Sequence, residues 1–224
     1  MMDEARRARM RALSAEAYAA GSPAGWFEQF YQEAAGDPAA VPWMDLAPHP
    51  YLVDWLKTHL QAGSDSRALV VGCGGGDDAA YLDEQGWRVT AFDIAPTAVA
   101  WAKQRFSDRD ITWTIADATE PLDAWRDRFD LIVEIYTLQT LPAALRQQLL
   151  ERISTCLAPG GTLIIICRGR DVDAPEGELP WKLTWSELDG PLTPSLIRIA
   201  NDDLLDDETP PQRRFRAVYR RPLA

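Results

Sequence analysis

Short apolar runs alternate with segments of helical periodicity between about residue 67 and residue 168. Runs such as Leu163-Ile-Ile-Ile-Cys167 lack polar alternation, so each is predicted to be a strand covered on both faces. The predicted strands lie at about 67–72, 87–92, 111–116, 129–134 and 161–167, and the predicted helices at about 77–85, 95–106 and 142–157. This alternation predicts an α/β fold with a parallel sheet and right-handed crossovers.

The two ends of the chain follow other patterns. Residues 3–35 predict one or two helices, residues 36–50 carry four prolines and predict an irregular loop, and residues 51–61 predict an amphipathic helix. After residue 168 the chain is polar and rich in Pro and Gly up to Pro180, and Ser186-Glu187 predicts the start of a short helix.

Two further strands are predicted near the C-terminus, from Ser195 to Ala200 and from Arg214 to Arg220, with an acidic solvated loop over 201–212 between them. They are expected to pair antiparallel at the sheet edge, which makes the sheet seven-stranded and mostly parallel. Pro159-Gly160-Gly161 predicts a turn before the last buried strand. One domain is predicted, with a helical segment over 1–50, a core over 51–168 and a covering segment over 169–224.

Composition narrows the classes of partner. The chain has 224 residues, 46% of them hydrophobic, and a formal net charge of -11, which disfavours nucleic acid and anionic membranes as partners. Arginines cluster near both ends, and we interpret them as a solvated helix face and an edge strand rather than as a nucleic-acid patch. No apolar run is long enough to span a bilayer, and the N-terminus lacks the apolar core of a signal peptide.

Three cysteines and two histidines limit the chemistry further. Cys73, Cys156 and Cys167 are odd in number and unpatterned, so no disulfide framework is predicted. No metal site is predicted either, because ligands are few. We expect a cytoplasmic protein, monomeric or homodimeric, that acts on a small molecule.

A glycine-rich turn follows the first predicted strand, in the order Gly72-Cys73-Gly74-Gly75-Gly76. Glycines at such a turn permit a close approach of backbone to ligand. The dinucleotide fingerprint requires another glycine at position 77, which is Asp77. Carboxylates at a helix start repel pyrophosphate, so a cationic or zwitterionic nucleoside is favoured. A tight structural turn is the alternative.

Asp93 ends the second predicted strand, seventeen residues after Gly76. A carboxylate at this position of a βαβ unit can accept hydrogen bonds from both ribose hydroxyls. The alternative is an N-cap for the next helix, a role that Asp93 or Thr97 could fill.

Together these motifs resemble the class I S-adenosylmethionine-dependent methyltransferases. The matching segments are Val70–Gly76, Phe92-Asp93, Ala116-Asp117-Ala118, Phe129–Glu134 and Leu157–Leu163. The resemblance implies a Rossmann-like three-layer sandwich, with S-adenosyl-L-methionine as cofactor and S-adenosyl-L-homocysteine as product. It implies that the glycine loop lies under the methionine portion, that Asp93 binds the ribose, and that Asp117 binds the adenine amino group with Ala118 beside it. The residues that the resemblance assigns to the cofactor in this core are Gly72, Cys73, Gly74, Gly76, Asp93, Ile94, Asp117, Ala118 and Glu134.

The N-terminal segment resembles the lid of the thiopurine, thiol and halide methyltransferase group, in which an aromatic helix and a Pro-Trp-Asp segment fold over the cofactor. The matching residues are Trp26, Phe30 and Trp43, although Met44 interrupts Pro-Trp-Asp. The resemblance implies a small soft nucleophile such as a thiol, a selenol or a halide ion. Packing of the aromatic helix on the sheet is compatible with a lid.

The segment after the fourth strand is expected to face the transferred methyl group. Glu134 and Tyr136 are the catalytic candidates, and Glu134 could act as a base or, as we favour, bind the methionine amino group. Substrate candidates are Trp43, Gln139, Arg168 and Trp181. For Arg168 a surface ion pair is an equal alternative to an anion site, and for Trp181 simple packing is the alternative.

Other functions remain open at this stage. A nicotinamide-dependent oxidoreductase shares the topology, but the missing glycine argues against it. A methyltransferase of amines, carboxylates or proteins and a non-catalytic S-adenosylmethionine-binding protein are the remaining alternatives.

Overall fold

The structure is a computed structural model that describes residues 4–22 and 24–223. Residues 1–3, which include the start of the first predicted helix and of the segment compared with a signal peptide, lie outside the described residues, as does residue 224. The helices are α1 (Glu4–Ala19), α2 (Trp26–Ala34), α3 (Pro50–His59), α4 (Asp77–Glu84), α5 (Pro96–Arg105), α6 (Ala143–Cys156) and α7 (Trp185–Leu192). The strands are β1 (Arg67–Val71), β2 (Arg88–Asp93), β3 (Thr112–Ile115), β4 (Phe129–Ile135), β5 (Leu157–Arg168), β6 (Ile197–Leu205) and β7 (Arg213–Arg220).

The seven strands form one sheet in the order β3-β2-β1-β4-β5-β7-β6. The pairs β2–β3, β1–β4 and β4–β5 are parallel, whereas β7 pairs antiparallel with both β5 and β6. The predicted fold class, a mostly parallel seven-stranded sheet with an antiparallel closing strand, is therefore confirmed. None of the helices within the described residues has the length and apolarity needed to cross a bilayer.

The chain divides into two compact units, one formed by residues 1–61 and 72–117 and the other by residues 62–71 and 118–224. The prediction of one domain with a helical lid and a covering segment stays a prediction. In the first unit, α4 and α5 alternate with β2 and β3. Prolines start α3 and α5 within the first turn, where a missing amide donor costs nothing.

The second unit contains the most deeply buried strands. Every residue from Gly161 to Cys167 of β5 is buried, which explains why this run has no polar alternation. Cys156 and Cys167 are buried free thiols. At the end of the covering segment, α7 begins with a reciprocal cap in which Thr184 Oγ1 accepts the Glu187 amide and Glu187 accepts the Thr184 amide, so the helix starts at Trp185 rather than at Ser186.

Two predicted loops are wrong in extent. Pro159-Gly160-Gly161 lies inside β5, which begins at Leu157, and the β4–β5 register shifts between Phe129 and Leu131. The chain makes an irregularity within the strand there instead of a turn before it. The acidic segment 201–212 is not all loop, because β6 extends to Leu205. Asp202 and Asp203 remain in the strand because Arg216 and Arg213 of β7 donate to their carboxylates at 2.8 Å each.

The β5 irregularity generates a stability prediction. A Cβ on Gly161 would lie 2.8 Å from the Phe129 carbonyl oxygen and 2.9 Å from that of Ala158. Backbone atoms cannot move aside cheaply, so Gly161→Ala is expected to lower the free energy of unfolding by about 1–3 kcal/mol. The matched control is Gly190→Ala in α7, where a Cβ meets nothing within 4 Å and helix propensity favours Ala by about 0.5–1 kcal/mol. Urea unfolding measures both, and equal stabilities for the two variants would contradict this account.

Candidate functional site

The glycine loop of the first unit adopts the left-handed backbone conformation at its three alternating glycines. The φ angles of Gly72, Gly74 and Gly76 are 61°, 49° and 88°, in the region that side chains with a Cβ rarely occupy. At Gly76 space is limiting as well, because a Cβ would lie 2.7 Å from the Trp113 ring. The predicted glycine turn is therefore a backbone requirement. Cys73 donates its amide to the Phe92 carbonyl at 2.8 Å, which fixes the loop to the end of β2.

Asp93 joins this loop to the start of α5. One carboxylate oxygen accepts the Gly74 amide and the other accepts the Ala95 amide, each at 2.9 Å. Burial raises the pKa of Asp93, and these amide bonds oppose the rise. The N-cap residue of α5 is Ala95, so the alternative that Asp93 or Thr97 is the N-cap is wrong. Asp93 instead holds the amide of that residue and the glycine loop, and its contact with a ribose stays a prediction. Ile94 follows Asp93 and is half-buried.

The start of α4 holds two carboxylates, and both are engaged by protein groups. Arg105 makes a two-pronged contact with Asp77, with N–O distances of 2.7 and 2.8 Å. Asp78 accepts the His49 amide at 2.7 Å, and burial, with smaller contributions from Asp77 and Asp45, raises its pKa to about 6. Arg105 neutralises Asp77, so the carboxylate of Asp78 is the group that disfavours pyrophosphate at this helix start.

The aromatic residues of the N-terminal segment form one cluster in the first unit. Ring centroids are 5.1 Å apart for Phe30 and Trp43 and 5.9 Å apart for Trp26 and Trp43. Trp43 donates its indole N–H to the Tyr31 hydroxyl at 2.7 Å. A Cβ on Gly74 would lie 3.2 Å from that hydroxyl, so the cluster packs directly on the glycine loop.

Trp26 contributes an unusual polar group to this cluster. Its side chain is 2% exposed, and its indole Nε1 has no hydrogen-bond partner among the described residues. A buried donor without a partner is costly. A ligand acceptor at this position would remove that cost.

The end of β3 carries the next predicted ligands. The Ala116 amide donates to the Asp93 carbonyl at 3.1 Å, which joins the ends of β2 and β3. Asp117 follows and is half-buried, and Ala118 is buried. The adenine contact predicted for Asp117 stays a prediction.

Glu134 lies in the second unit near the carboxyl end of β4. It pairs in register with Val71 of β1, the residue that precedes the glycine loop in the chain. Its Oε1 accepts the amides of Thr137 and Leu138 at 2.7 and 2.9 Å. Its Oε2 is buried and has no partner among the described residues. Burial raises the pKa of Glu134 to about 7, against the lowering effect of the two amides.

Tyr136 departs from β4 with strained geometry. Its φ is 67°, and a bulky residue in the left-handed region is uncommon outside turns and functional sites. The Arg214 guanidinium lies over its ring, 5.0 Å from the centroid, and Arg214 Nε donates to Asp206 at 2.7 Å. The β6–β7 hairpin therefore supports the Tyr136 side chain.

Gln139 connects the other predicted substrate residues of the second unit. Its side-chain oxygen accepts the Arg168 amide at 2.8 Å, and its carbonyl oxygen accepts the Trp181 amide at 2.7 Å. Arg168 also forms a long ion pair with Glu208, at 3.9 Å, which agrees with the ion-pair alternative. The Arg146 guanidinium lies over the Trp181 ring at 5.2 Å. Gln139 thus holds the covering segment, and its contact with substrate stays a prediction.

Similarity to known proteins indicates the class of enzyme. The sequence profile of the family described as "Methyltransferase domain" matches residues 68–161. The chain is 28% identical over 167 residues to the 2-heptyl-1-hydroxyquinolin-4(1H)-one methyltransferase of Mycobacteroides abscessus, covering 72% of either protein. It is 28% identical over 190 residues to the probable thiol methyltransferase 2 of Arabidopsis thaliana, covering 82% of this chain and 79% of the relative.

A solved structure gives the same result. The N-methyltransferase NodS from Bradyrhizobium japonicum, in complex with S-adenosyl-L-homocysteine, is 25% identical to this chain, with a TM-score of 0.68. The match covers 86% of this chain and 98% of that one. These similarities support a class I S-adenosylmethionine-dependent methyltransferase. S-adenosylmethionine is accordingly its cofactor.

The residues of this methyltransferase fit that cofactor. A sulfonium nucleoside carries ribose hydroxyls and an ammonium group, which require acceptors, and it has no pyrophosphate. The chain offers buried carboxylates at Asp93 and Glu134 as acceptors. Among the described residues, Oε2 of Glu134 has no partner, and the Trp26 indole N–H is a donor without a partner, for which the cofactor's carboxylate is a suitable acceptor.

Sequence analysis missed several residues that shape the methyltransferase site. Arg105 also donates to the Gly75 carbonyl, and Met44, noted only as an interruption, would lie 2.5 Å from a Cβ on Gly75. No local pattern indicates either contact, because both depend on the folded arrangement. Tyr31 is a buried residue of α2 together with Trp26 and Phe30, so the amphipathic pattern of this helix could have indicated it.

The buried Glu134 carboxylate generates a pH prediction. A carboxyl whose pKa rises from about 4.5 to about 7 on folding contributes stability that is complete below pH 4.5 and is lost as pH rises through 7. Glu134→Gln keeps an acceptor for the Thr137 and Leu138 amides without this loss. The free energy of unfolding of the variant, relative to that of the wild type, is therefore expected to increase by about 2–3 kcal/mol between pH 5 and pH 8.

Urea unfolding at several pH values checks this. Glu151→Gln, at an exposed carboxylate of α6, is the control and should follow the wild type at every pH. A constant difference between Glu134→Gln and the wild type from pH 5 to pH 8 would show that Glu134 titrates normally.

Proposed function

We propose that this methyltransferase transfers the methyl group of S-adenosylmethionine to a small soft nucleophile of the thiol, selenol or halide type. The observation that carries the proposal is the aromatic cluster of Trp26, Phe30 and Trp43, which meets the glycine loop through Trp43 and the neighbouring Tyr31 hydroxyl. An aromatic cover excludes water from the reacting groups. The probable thiol methyltransferase 2 of Arabidopsis thaliana, similar over 82% of this chain, supports a thiol as acceptor.

The chemistry asks little of side chains. Bound S-adenosylmethionine supplies a methyl group already activated by its sulfonium, which the acceptor's lone pair takes by in-line displacement, leaving the thioether product. The protein then has to align the acceptor and keep it deprotonated. A thiol with an ordinary pKa of about 8.5 ionises with modest help.

We assign the cofactor to residues of the glycine loop, the strand ends and the aromatic cover. Asp93 binds the ribose hydroxyls and Asp117 the adenine amino group, and Trp26, Phe30 and Trp43 cover the methionine portion. The remaining cofactor contacts are Gly72, Cys73, Gly74, Gly76, Ile94 and Ala118. Trp43, Gln139, Arg168 and Trp181 are the proposed substrate contacts.

Glu134 is proposed to bind the ammonium group of the methionine portion through Oε2. The oxygen is buried and lacks a partner, so a cation that reaches it is held by a charge-assisted hydrogen bond. Tyr136, two residues later, faces the acceptor in this proposal.

A second candidate function has a specific observation in its favour. A buried carboxylate whose pKa lies near 7 is suited to general-base work. Glu134 would then take the proton from the hydroxyl group of the acceptor, and the hydroxyl oxygen of the acceptor would attack the methyl group. The 28% identical relative that methylates 2-heptyl-1-hydroxyquinolin-4(1H)-one supports a hydroxylated heteroaromatic compound as this acceptor.

An acceptor panel separates the two candidates. S-adenosylhomocysteine formation is measured with an aromatic thiol, hydrosulfide, iodide, a 1-hydroxyquinolin-4-one, a primary amine and a carboxylate, and products are identified by mass spectrometry. We expect the thiols to give the highest kcat/KM. Turnover of the hydroxyquinolone above every thiol would replace the first candidate by the second, and cofactor binding without turnover of any acceptor would favour a non-catalytic binding protein.

Calorimetry across pH tests the role of Glu134. An ammonium ligand needs the ionised carboxylate, so S-adenosylmethionine affinity should fall as pH drops below about 7, by up to about tenfold per pH unit. Glu134→Gln should bind more weakly at pH 8 and lose this pH dependence. A variant that binds like the wild type but has a lower kcat would assign Glu134 to the base role instead.

A further inference from the structure

Glu28 projects from α2 onto the start of α5. Its Oε2 accepts the Thr97 amide at 2.9 Å, and its Oε1 accepts the Thr97 hydroxyl at 2.6 Å. Gln32 of the same helix donates to Oε1 at 2.7 Å. One carboxylate thus makes two hydrogen bonds to a single residue that is 69 positions away in the chain.

The contact supplies an acceptor for an amide at the start of α5. The first amides of a helix have no partners within the helix, and the N-cap residue of α5 is Ala95, which has no side-chain acceptor. Asp93 takes the Ala95 amide and Glu28 takes the Thr97 amide. Burial raises the pKa of Glu28, but its bonds with Thr97 and Gln32 outweigh this and the net shift is downward, so the carboxylate is charged at neutral pH and interacts favourably with the helix dipole.

The same helix carries the aromatic cover. Tyr31 lies one turn after Glu28 in α2 and packs on Gly74 of the loop, while Glu28 contacts α5. A helix of nine residues such as α2 is too short to be stable alone in water, so its position depends on contacts of this kind. In the proposed function the aromatic residues of α2 cover the bound cofactor, so its exchange would require α2 to move away from the loop.

We propose that Glu28 is a positioning residue whose bonds to Thr97 latch the aromatic helix over bound S-adenosylmethionine and thereby set the residence time of the cofactor. The inference rests on the proposed function of the aromatic cluster as a cofactor cover. Since Asp93 and Glu28 bind successive amides at the same helix start, the latch closes beside the residue assigned to the ribose.

The test measures dissociation of labelled S-adenosylmethionine after a chase with excess unlabelled cofactor. Glu28→Ala removes both acceptors, and Thr97→Val removes the hydroxyl while keeping the shape of the side chain. We expect the dissociation rate to rise about 10- to 100-fold in Glu28→Ala, the range for charge-assisted hydrogen bonds, with little change in the association rate. In the double variant the rate should not exceed that of Glu28→Ala, because both changes break one contact.

Two controls separate a latch from a general loss of structure. Glu33→Ala removes a carboxylate of the same helix that pairs with Arg9 at the surface. The cofactor should dissociate from this variant at the wild-type rate. Thr97→Ser keeps the hydroxyl and should also behave like the wild type. Urea unfolding confirms that each variant is folded, and Thr97→Val alone suffices for the test should Glu28→Ala fail to fold.

The outcomes distinguish this inference from the function beneath it. One outcome is that the wild type binds S-adenosylmethionine while the folded Glu28 and Thr97 variants release it at the wild-type rate. That result overturns the latch and leaves the proposed function standing. Additive effects of the two substitutions also overturn it. A wild type that binds no S-adenosylmethionine overturns the proposed function and the latch with it.

Discussion

The Asp93 carboxylate is the interaction on which the site depends. It holds the Gly74 amide with one oxygen and the Ala95 amide with the other, so one buried charge fixes both the glycine loop and the start of α5. An ionised carboxylate has lone pairs beyond those two bonds, and ribose hydroxyls can use them. Asp93 is not the N-cap of α5, which is Ala95, but the two amide bonds that hold its carboxylate are compatible with the predicted ligand role.

The acidic side chains of the two units have different kinds of partner. In the first, acidic groups lie at helix starts: Asp77 is neutralised by Arg105, and Asp78 and Glu28 accept main-chain amides. In the second, the arginines of β7 pair with acids of the β6–β7 hairpin, as Arg214 does with Asp206 and Arg216 with Asp202. Glu134 stands apart from both arrangements, since amides satisfy one of its oxygens and the other remains open. That difference makes Glu134 the residue whose protonation a cationic ligand would change most.

The sequence predicted the fold well because its signals are local. Apolar runs, glycines with left-handed backbone and the carboxylate at a strand end all fall within a few residues of the feature they indicate. The errors have the opposite origin. The acids of β6 resemble a solvated loop until their partners in β7 are known, and Gly160-Gly161 indicates a turn equally well inside a strand or before it. The bonds that the Gln139 oxygens accept from the Arg168 and Trp181 amides have no local sequence signal either, because only the folded chain brings these residues together.

Under the proposed function, the aromatic cover and Glu134 each limit which acceptor can react. A dry site strengthens the attraction between the sulfonium and any anion, so an acceptor that enters already charged gains most there, and a neutral acceptor needs a base inside. The cover favours the first type, thiolate or halide, and the pKa of Glu134 near 7 allows the second. The two demands on Glu134 exclude each other: a carboxylate that binds the cofactor's ammonium has its pKa lowered by that cation and becomes a poorer base. If Glu134 holds the ammonium, the acceptor must therefore ionise largely by its own acidity, and a thiol does so far more readily than an aliphatic alcohol or a protonated amine.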